Sequence, residues 1–434
     1  MTPDTCLKIA KTAGYLLSDK RLKKNRVIIS KDTRLSGYVF EPLMTSGFVA
    51  MGMEAILVGP LPTPSVPQLI SSLRADIGIM ITASHNTYEY NGLKFFDSQG
   101  NKISKDLEHE IESYVLNEDK YSKIAIKKFN TGKVKRLEDA SGRYAESLKS
   151  SLEKNINFKN IKVVLDCAHG ATYLVAPTIF WELGCHVTTI GNQPNGYNIN
   201  DNCGAVNIKL LSTKVLETNA DIGFAFDGDG DRLIIIDEKG DEVDGDKILA
   251  LLTKELLIKD RLQNKTVVAT VMSNLGFEHY LKEELGVNLI RTDVGDINVI
   301  NKMNNHSYSL GGEQSGHIII KEYSKTGDGI LVALKILEIL KKTNIKTSEL
   351  FNIYTPYPQE KANIPLSKKI DEKIMKKISS LVIQIKKTKP HLRFLARESG
   401  TEPLLRLLVE GRDNMEVKNE IINISSKMQN ILND

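Results

Sequence analysis

These 434 residues offer little that could staple, span or stack. Four cysteines, Cys6, Cys167, Cys185 and Cys203, stand far apart with no C-x-x-C pair and no secretory leader ahead of them, which argues against a disulfide framework or a zinc site and for a reducing cytoplasm. No window holds the roughly 18 uninterrupted apolar residues of a membrane span, since even Gly47 to Pro60 is broken by Glu54. Aromatics are only 6% of the chain and do not interleave with the lysine runs at 123–135 and 368–377, so those runs read as solvated faces and nucleic-acid binding as a weak alternative. Fifty-eight Lys and Arg against 54 Asp and Glu leave a formal charge of only +4, too little to name a partner.

What is present is length and alternation. The chain suffices for about three or four units, each with its own core. Thr2-Pro3-Asp4 predicts a capped helix start, with Leu7, Ala10, Ala13 and Leu16 at helical spacing behind it. Short apolar runs then predict strands at 27–29, 55–58 and 77–81, with a helix at 41–50 between the first two. Similar alternation recurs from Ile161 to Ile236 and from Ile248 to Leu340, and a smaller mixed unit follows a linker at 341–346 and 356–358. Strand, helix, strand order predicts α/β units with largely parallel sheets, whose ligands gather at the carboxyl ends of strands. The expected units are 1–142, 143–242, 243–355 and 356–434.

Four loops carry the chemistry. Asp227-Gly-Asp-Gly-Asp-Arg232 alternates three carboxylates with glycines, so Asp227, Asp229 and Asp231 can turn oxygens onto one hard cation, with Mg²⁺ favoured. Glu238 stands where an EF-hand has its twelfth residue, yet Arg232 replaces the required sixth-position glycine and strands replace the flanking helices. The remaining alternative is a solvated acidic turn. Ser84 lies just past the expected strand 77–81, beside His85 and Lys94. A serine needs a base, a metal or a cation to become a useful nucleophile, and no G-x-S-x-G elbow supports an esterase triad, so phosphate transfer is the sharper reading. Gly311-Gly-Glu-Gln-Ser-Gly-His317 offers Glu313, Ser315 and His317 to sugar hydroxyls, or is a plain glycine-rich connection. In the stretch 397–406, Arg397, Ser399, Gly400, Thr401 and Arg406 could cradle a phosphate, or form an ordinary turn between strands.

These four loops, in this order, resemble the α-D-phosphohexomutase superfamily over nearly the whole chain. Lys31-Asp-Thr-Arg-Leu-Ser-Gly37, Gly59-Pro-Leu-Pro-Thr-Pro64 and the loop at 311–317 are similar to its amino-sugar branch, whereas mannose and glucose relatives more typically carry methionine where Gln314 stands. The resemblance implies a four-domain phosphohexomutase architecture: three similar mixed α/β sheet domains and a smaller, mobile C-terminal α+β domain around a central cleft. It implies interconversion of glucosamine 6-phosphate and glucosamine 1-phosphate for cell-wall precursors. Ser84 would carry the phosphoryl group through a sugar 1,6-bisphosphate, which also primes the enzyme. Mg²⁺ would be held by the three aspartates and the phosphorylated Ser84, with His85 and Lys94 as acid/base neighbours and Arg232 supporting the metal loop. A small sugar phosphate is the implied partner, with no nucleic acid or membrane; a homodimer is compatible with it. The rivals are a sister enzyme of mannose or glucose phosphates and a catalytically impaired sugar-phosphate-binding homologue.

Departures from the family pattern are few. The chain opens at the helix cap, where relatives carry a strand and a Phe-Gly-Thr-Asp-Gly-Ile-Arg-Gly loop; the expectation is an internal start in a longer reading frame, or a protein lacking that strand and arginine. Thr87 replaces a proline, Ile297 an arginine, and Ala205-Val206-Asn207 a polar run.

Overall fold

A computed structural model of the chain describes residues 2–18, 25–124, 131–366, 372–398 and 403–433. Among these, strands assemble into four sheets that follow one another along the chain. The first contains β1 (Arg26–Lys31), β2 (Glu54–Pro60), β3 (Ile77–Ile81), β4 (Leu93–Phe96) and β5 (Val134–Arg136), ordered β4-β3-β1-β2-β5. The second contains β6 (Lys162–Asp166), β7 (His186–Ile190), β8 (Ile222–Phe226), β9 (Leu233–Asp237) and β10 (Glu242–Val243), ordered β10-β9-β8-β6-β7. The third orders β11 (Thr266–Thr270), β12 (Asn288–Thr292), β13 (Leu310–Gly312) and β14 (Ile318–Ile320) as β12-β11-β13-β14. In the fourth, β15 (Gln359–Pro365), β16 (Arg393–Glu398) and β17 (Leu404–Glu410) lie antiparallel as β15-β17-β16.

One pattern underlies the first three sheets. In each, the first strand pairs in parallel with the second and third, and the third turns back antiparallel into a fourth. Such sheets need cover on both faces, which is why their strands are apolar runs rather than alternating ones. In the first sheet Val27 and Ile29 pack with Phe40, Met44 and Phe48 on one face, while Ile28 packs with Val66, Leu69 and Ile70 on the other. The two-residue period of the strand thus feeds two helices, Gly37–Ala50 and Ser65–Leu73, from one apolar run.

The opening helix spans Pro3–Leu17, with Thr2 accepting from the Thr5 N–H at 3.2 Å as its cap. The break expected at 341–346 is not a linker: the helix Gly329–Thr343 runs into it, and the short helix Thr347–Leu350 follows, with Leu350 and Phe351 buried in the same core as the third sheet. The lysine run at 368–377 is in part the start of a helix, Glu372–Thr388, that buries Ile378 and Ile385 at a seven-residue spacing against the fourth sheet. Of its lysines Lys376 and Lys377 are exposed; the apolar stripe beside them was the missed signal.

Candidate active site

Each chemistry-bearing stretch lies between two antiparallel strands. Ser84 sits between β3 and β4, whose register pairs Ile81 with Leu93 and Met80 with Lys94, so this hairpin returns Lys94 to the serine. The loop 227–232 joins β8 to β9, the loop 313–317 joins β13 to β14, and the loop 399–403 joins β16 to β17. Three of these turns meet. Ser84 Oγ donates to Asp227 Oδ2 at 2.7 Å, and Lys94 Nζ donates to Asp229 Oδ2 at 2.6 Å and Asp231 Oδ2 at 2.8 Å. The Leu233 N–H donates to the Gly316 carbonyl at 3.0 Å, joining the metal loop to the third turn. Gly316 permits this approach, because a Cβ there would lie 2.2 Å from the Leu233 oxygen.

The three aspartates are at most 3% exposed, and one oxygen from each falls within 4.8 Å of the others. Oδ1 of Asp229 and Oδ1 of Asp231 are buried and make no hydrogen bond. Buried carboxylate oxygens without partners, concentrated in one turn, are the donor set of a hard divalent cation. Burial, reinforced by the charges of Asp231 and Asp229, pushes Asp227 up to about 8. Burial also opposes the charge on Asp231, but Lys94 and His317 outweigh it and hold that carboxyl well below its usual range. The same contest keeps Lys94 an ammonium: desolvation works against it, and Asp229 and Asp231 prevail. His85 is lowered by burial and by Arg232, and its Nδ1 is buried without a hydrogen bond. Arg232 donates its backbone N–H to Asp227 Oδ1 at 3.1 Å, and its charge is supported by Asp227, Asp231 and Glu313 against burial.

The third turn divides its residues. Ser315 is exposed, and its hydroxyl donates to Glu313 Oε2 at 3.3 Å; Glu313 Oε1 accepts from the Gly295 N–H at 3.0 Å. His317, expected beside them for sugar binding, is only 2% exposed. Its ring lies between Asp231 (Nδ1 to Oδ1, 3.5 Å) and Asp296 (Nε2 to Oδ2, 3.8 Å), and its Nε2 accepts from the Gly327 N–H at 3.1 Å. This is the metal side of the loop, where the imidazole braces Asp231 and has no open face for a sugar. Of the phosphate cradle, Ser399, Gly400 and Thr401 lie outside the described residues. Arg397 and Arg406 stand opposite one another across β16 and β17, and burial and the charge of Arg406 lower Arg397.

Sequence reasoning missed what holds Ser84. Its φ is +50°, a left-handed backbone that a serine adopts only when its surroundings impose it. Buried Arg34 does much of this: Nη2 donates to the Ser84 and Asn86 carbonyls at 3.0 and 2.8 Å, and Nη1 to the Tyr90 carbonyl at 2.9 Å and to that of Thr87. Asp32 anchors the guanidinium at 2.7 Å and accepts from Thr82 at 2.7 Å, while Thr82 Oγ1 accepts from the Ser84 N–H at 2.9 Å. Thr63 reaches from the first unit as well, its N–H donating to the Asp229 carbonyl at 2.8 Å and its hydroxyl to Asp229 Oδ2. The stretch Lys31 to Gly37 was visible as a motif, but nothing in its spacing said that its arginine grips carbonyls some fifty positions away.

The phosphoglucomutase/phosphomannomutase alpha/beta/alpha domains I, II and III match residues 1–122, 142–240 and 244–357, and the C-terminal domain of that family matches residues 363–422. Curated relatives include a phosphoglucosamine mutase of Rhizobium etli, 44% identical over 99% of this chain and 95% of its own length. Another, of Zymomonas mobilis, is 45% identical over 95% and 92%. Among solved structures, a phosphoglucomutase/phosphomannomutase family protein of Burkholderia thailandensis shares the fold at TM-score 0.80 and 22% identity, covering 99% of this chain and 94% of that one. An N-acetylphosphoglucosamine mutase of Aspergillus fumigatus, solved with GlcNAc-6P and magnesium, does so at TM-score 0.65 and 17% identity, covering 90% and 93%. Four matched domains in order, and close relatives along almost the full length, lead to one conclusion: the chain belongs to the phosphoglucomutase/phosphomannomutase family.

Proposed function

We propose that this protein interconverts glucosamine 6-phosphate and glucosamine 1-phosphate in the cytoplasm, with Ser84 as the phosphoryl carrier and a sugar 1,6-bisphosphate as intermediate and primer. The observation that carries this reading is the hydrogen bond from Ser84 Oγ to Asp227 Oδ2, which joins a hydroxyl of the first unit to a buried three-carboxylate loop of the second. The names of the relatives support the amino sugar, as does Gln314, whose Nε2 donates to Asp244 Oδ2 at 3.1 Å.

In the forward direction the phosphoserine gives its phosphoryl group to the free hydroxyl of the sugar phosphate. The bond from phosphorus to Ser84 Oγ breaks, a bond from phosphorus to the sugar oxygen forms, and the sugar hydroxyl's proton passes by way of the His85 and Lys94 neighbourhood to Ser84 Oγ, which is left a hydroxyl. The bisphosphate turns over in the cleft, its other phosphoryl group returns to Oγ, and the proton displaced from the Ser84 hydroxyl passes to the sugar oxygen that the group leaves. Phosphoryl transfer asks chiefly for in-line placement and charge neutralisation. Asp227, Asp229 and Asp231 would hold Mg²⁺ beside Ser84, and the buried Oδ1 atoms of Asp229 and Asp231, which accept no hydrogen bond, fit it. When bound, the ion supplies positive charge to the phosphoryl and serine oxygens. Lys94 keeps two of these carboxylates turned toward the serine, Glu313 and Ser315 grip sugar hydroxyls, and Arg397 and Arg406, with Ser399, Gly400 and Thr401, take the phosphate that does not react.

The test is conversion of glucosamine 6-phosphate to the 1-phosphate with Mg²⁺ and a bisphosphate primer, run beside glucose and mannose 6-phosphates. Preference for the amino sugar is expected; preference for mannose or glucose phosphate would move the protein to the sister activity, and no turnover on any of them would leave a binding protein.

A further inference from the structure

Beside the edge-on rings of Tyr88 and Tyr197, two residues of the second unit hydrogen-bond the Ser84 turn among the described residues. One is Asp227, on the hydroxyl. The other is Asn200, in the Asn- and Gly-rich connection after β7, where nothing in the reaction outlined above calls for a residue. Asn200 is 5% exposed, and its Nδ2 donates to the Ser84 carbonyl at 2.8 Å and to the Asn86 carbonyl at 2.8 Å. Two acceptors on one side decide which end of the amide faces the turn. Asn200 itself has φ +58° and is pinned by its own N–H, which donates to the Ala168 carbonyl at 2.9 Å. The contact is tight enough to exclude a side chain beside it. A Cβ on Gly228 would lie 2.6 Å from Asn200 Nδ2 and 2.7 Å from the Ser84 oxygen, so the first glycine of the metal loop is required for this grip as much as for turning the carboxylates.

We propose that Asn200 is a positioning residue for phosphoryl transfer: by holding the Ser84 and Asn86 carbonyls it fixes the left-handed backbone at Ser84 in the frame of the second unit, so that Oγ is aimed at the carboxylate loop. The proposal rests on Ser84 being the phosphoryl carrier. Arg34 grips the same two carbonyls from the first unit, so loss of Asn200 leaves the turn folded but lets it drift relative to the aspartates. Positioning of this kind acts on the transferring atoms and hardly on the sugar, whose contacts lie in the third and fourth units. Asn200→Ala removes both donated hydrogen bonds, and Asn200→Asp removes them and also turns a buried carboxylate oxygen toward the two carbonyls, so the second change costs more.

The full-length chain and its Asn200→Ala and Asn200→Asp variants are incubated with Mg²⁺ and glucose 1,6-bisphosphate, and phosphate uptake at Ser84 is timed by intact mass. Turnover of glucosamine 6-phosphate and thermal unfolding are measured on the same samples. A small misplacement costs on the order of a hundredfold, so Asn200→Asp should slow uptake and kcat by about that factor and Asn200→Ala by about tenfold, with KM within about threefold of the parent. Uptake and kcat in Asn200→Asp equal to the parent would overturn the proposal, and so would losses that follow the fall in unfolding temperature across the variants. A parent that takes up phosphate without converting glucosamine phosphates would refute the substrate assignment alone, because the uptake rates still compare Asn200 with its variants. A folded parent that takes up none would overturn both.

Discussion

The second and third units share one continuous apolar core, from Tyr144 and Phe224 through Leu249 and Ile336 to Phe351, whereas the fourth unit closes a core of its own around Phe394, Leu405 and Val417. The fourth unit joins the third through polar contacts instead. Arg393 donates to the Val271 and Ser273 carbonyls at 2.7 and 3.0 Å and to Glu410 at 2.6 Å, and Glu410 in turn accepts from the Leu275 N–H at 2.8 Å. Packed cores resist sliding, while polar domain contacts resemble transient interfaces and permit rotation. The turns at 227–232 and 313–317 therefore rest on one core, while Arg397 and Arg406 belong to a body that meets it through polar contacts. If, as proposed, the aspartates serve phosphoryl transfer and the two arginines capture phosphate, substitutions on the shared-core part and in the fourth unit should separate in kcat and KM.

The largest effect is expected where the first unit meets the shared-core part. Ser84→Ala should lower kcat at least about ten-thousandfold, as loss of a nucleophile does, while titration calorimetry still detects sugar-phosphate binding. Core truncations come next and test the shared core directly. Phe224→Ala and Phe394→Ala should each cost about 3–5 kcal/mol. In a calorimetric scan the first should lower one transition that contains both the second and third units, and the second should lower only a separate transition of the fourth. A single transition lowered equally by both would erase the distinction. In the fourth unit, Arg397→Ala would remove the proposed charge-assisted contact to phosphate, and KM should then rise about tenfold with kcat within about threefold.

The smallest effect concerns the seam between the second and third units, where the Tyr144 hydroxyl donates to Asp328 Oδ1 at 3.0 Å. Burial pushes Asp328 up to about 7 from an ordinary value of 3.8, against the hydrogen bonds that it accepts from Leu331 and Tyr144. A carboxyl raised on folding binds its proton more tightly in the folded chain, so its contribution to stability is fully present below about pH 4 and is lost as pH rises toward 7. Asn at this helix cap keeps the acceptor without the titration. Denaturant unfolding of the parent and of Asp328→Asn should therefore show the parent losing ground to the variant between pH 4 and 7; parallel curves would contradict this.

The strands that positioned the site were legible wherever both faces are covered, as at Ile77–Ile81, Ile222–Phe226 and Leu233–Ile236, because burial on both sides leaves an unbroken apolar run. Strands that lack such a run were not. Leu93–Phe96 carries Lys94 in its middle, and Leu310–Gly312 is two-thirds glycine, a residue that strands avoid; each forms because a neighbouring strand offers it a ladder. The site shows the same division. Ser84 and the three aspartates were visible as residue types at telling spacing. Arg34 and Asn200 act on backbone carbonyls 50 and 116 positions from them, and a carbonyl leaves no mark in a sequence. His317 was visible for its company and misread for its direction, because a hairpin residue's facing depends on the register of a strand that was itself missed.

The central claim is that Ser84 alone carries the transferable phosphoryl group beside the aspartate loop. Mass spectrometry of the chain after incubation with Mg²⁺ and glucose 1,6-bisphosphate tests it most directly. The expected result is one added phosphoryl group located on Ser84, lost on addition of glucosamine 6-phosphate and absent from Ser84→Ala. A folded chain that stays unlabelled, or that carries the label on another residue, would contradict it.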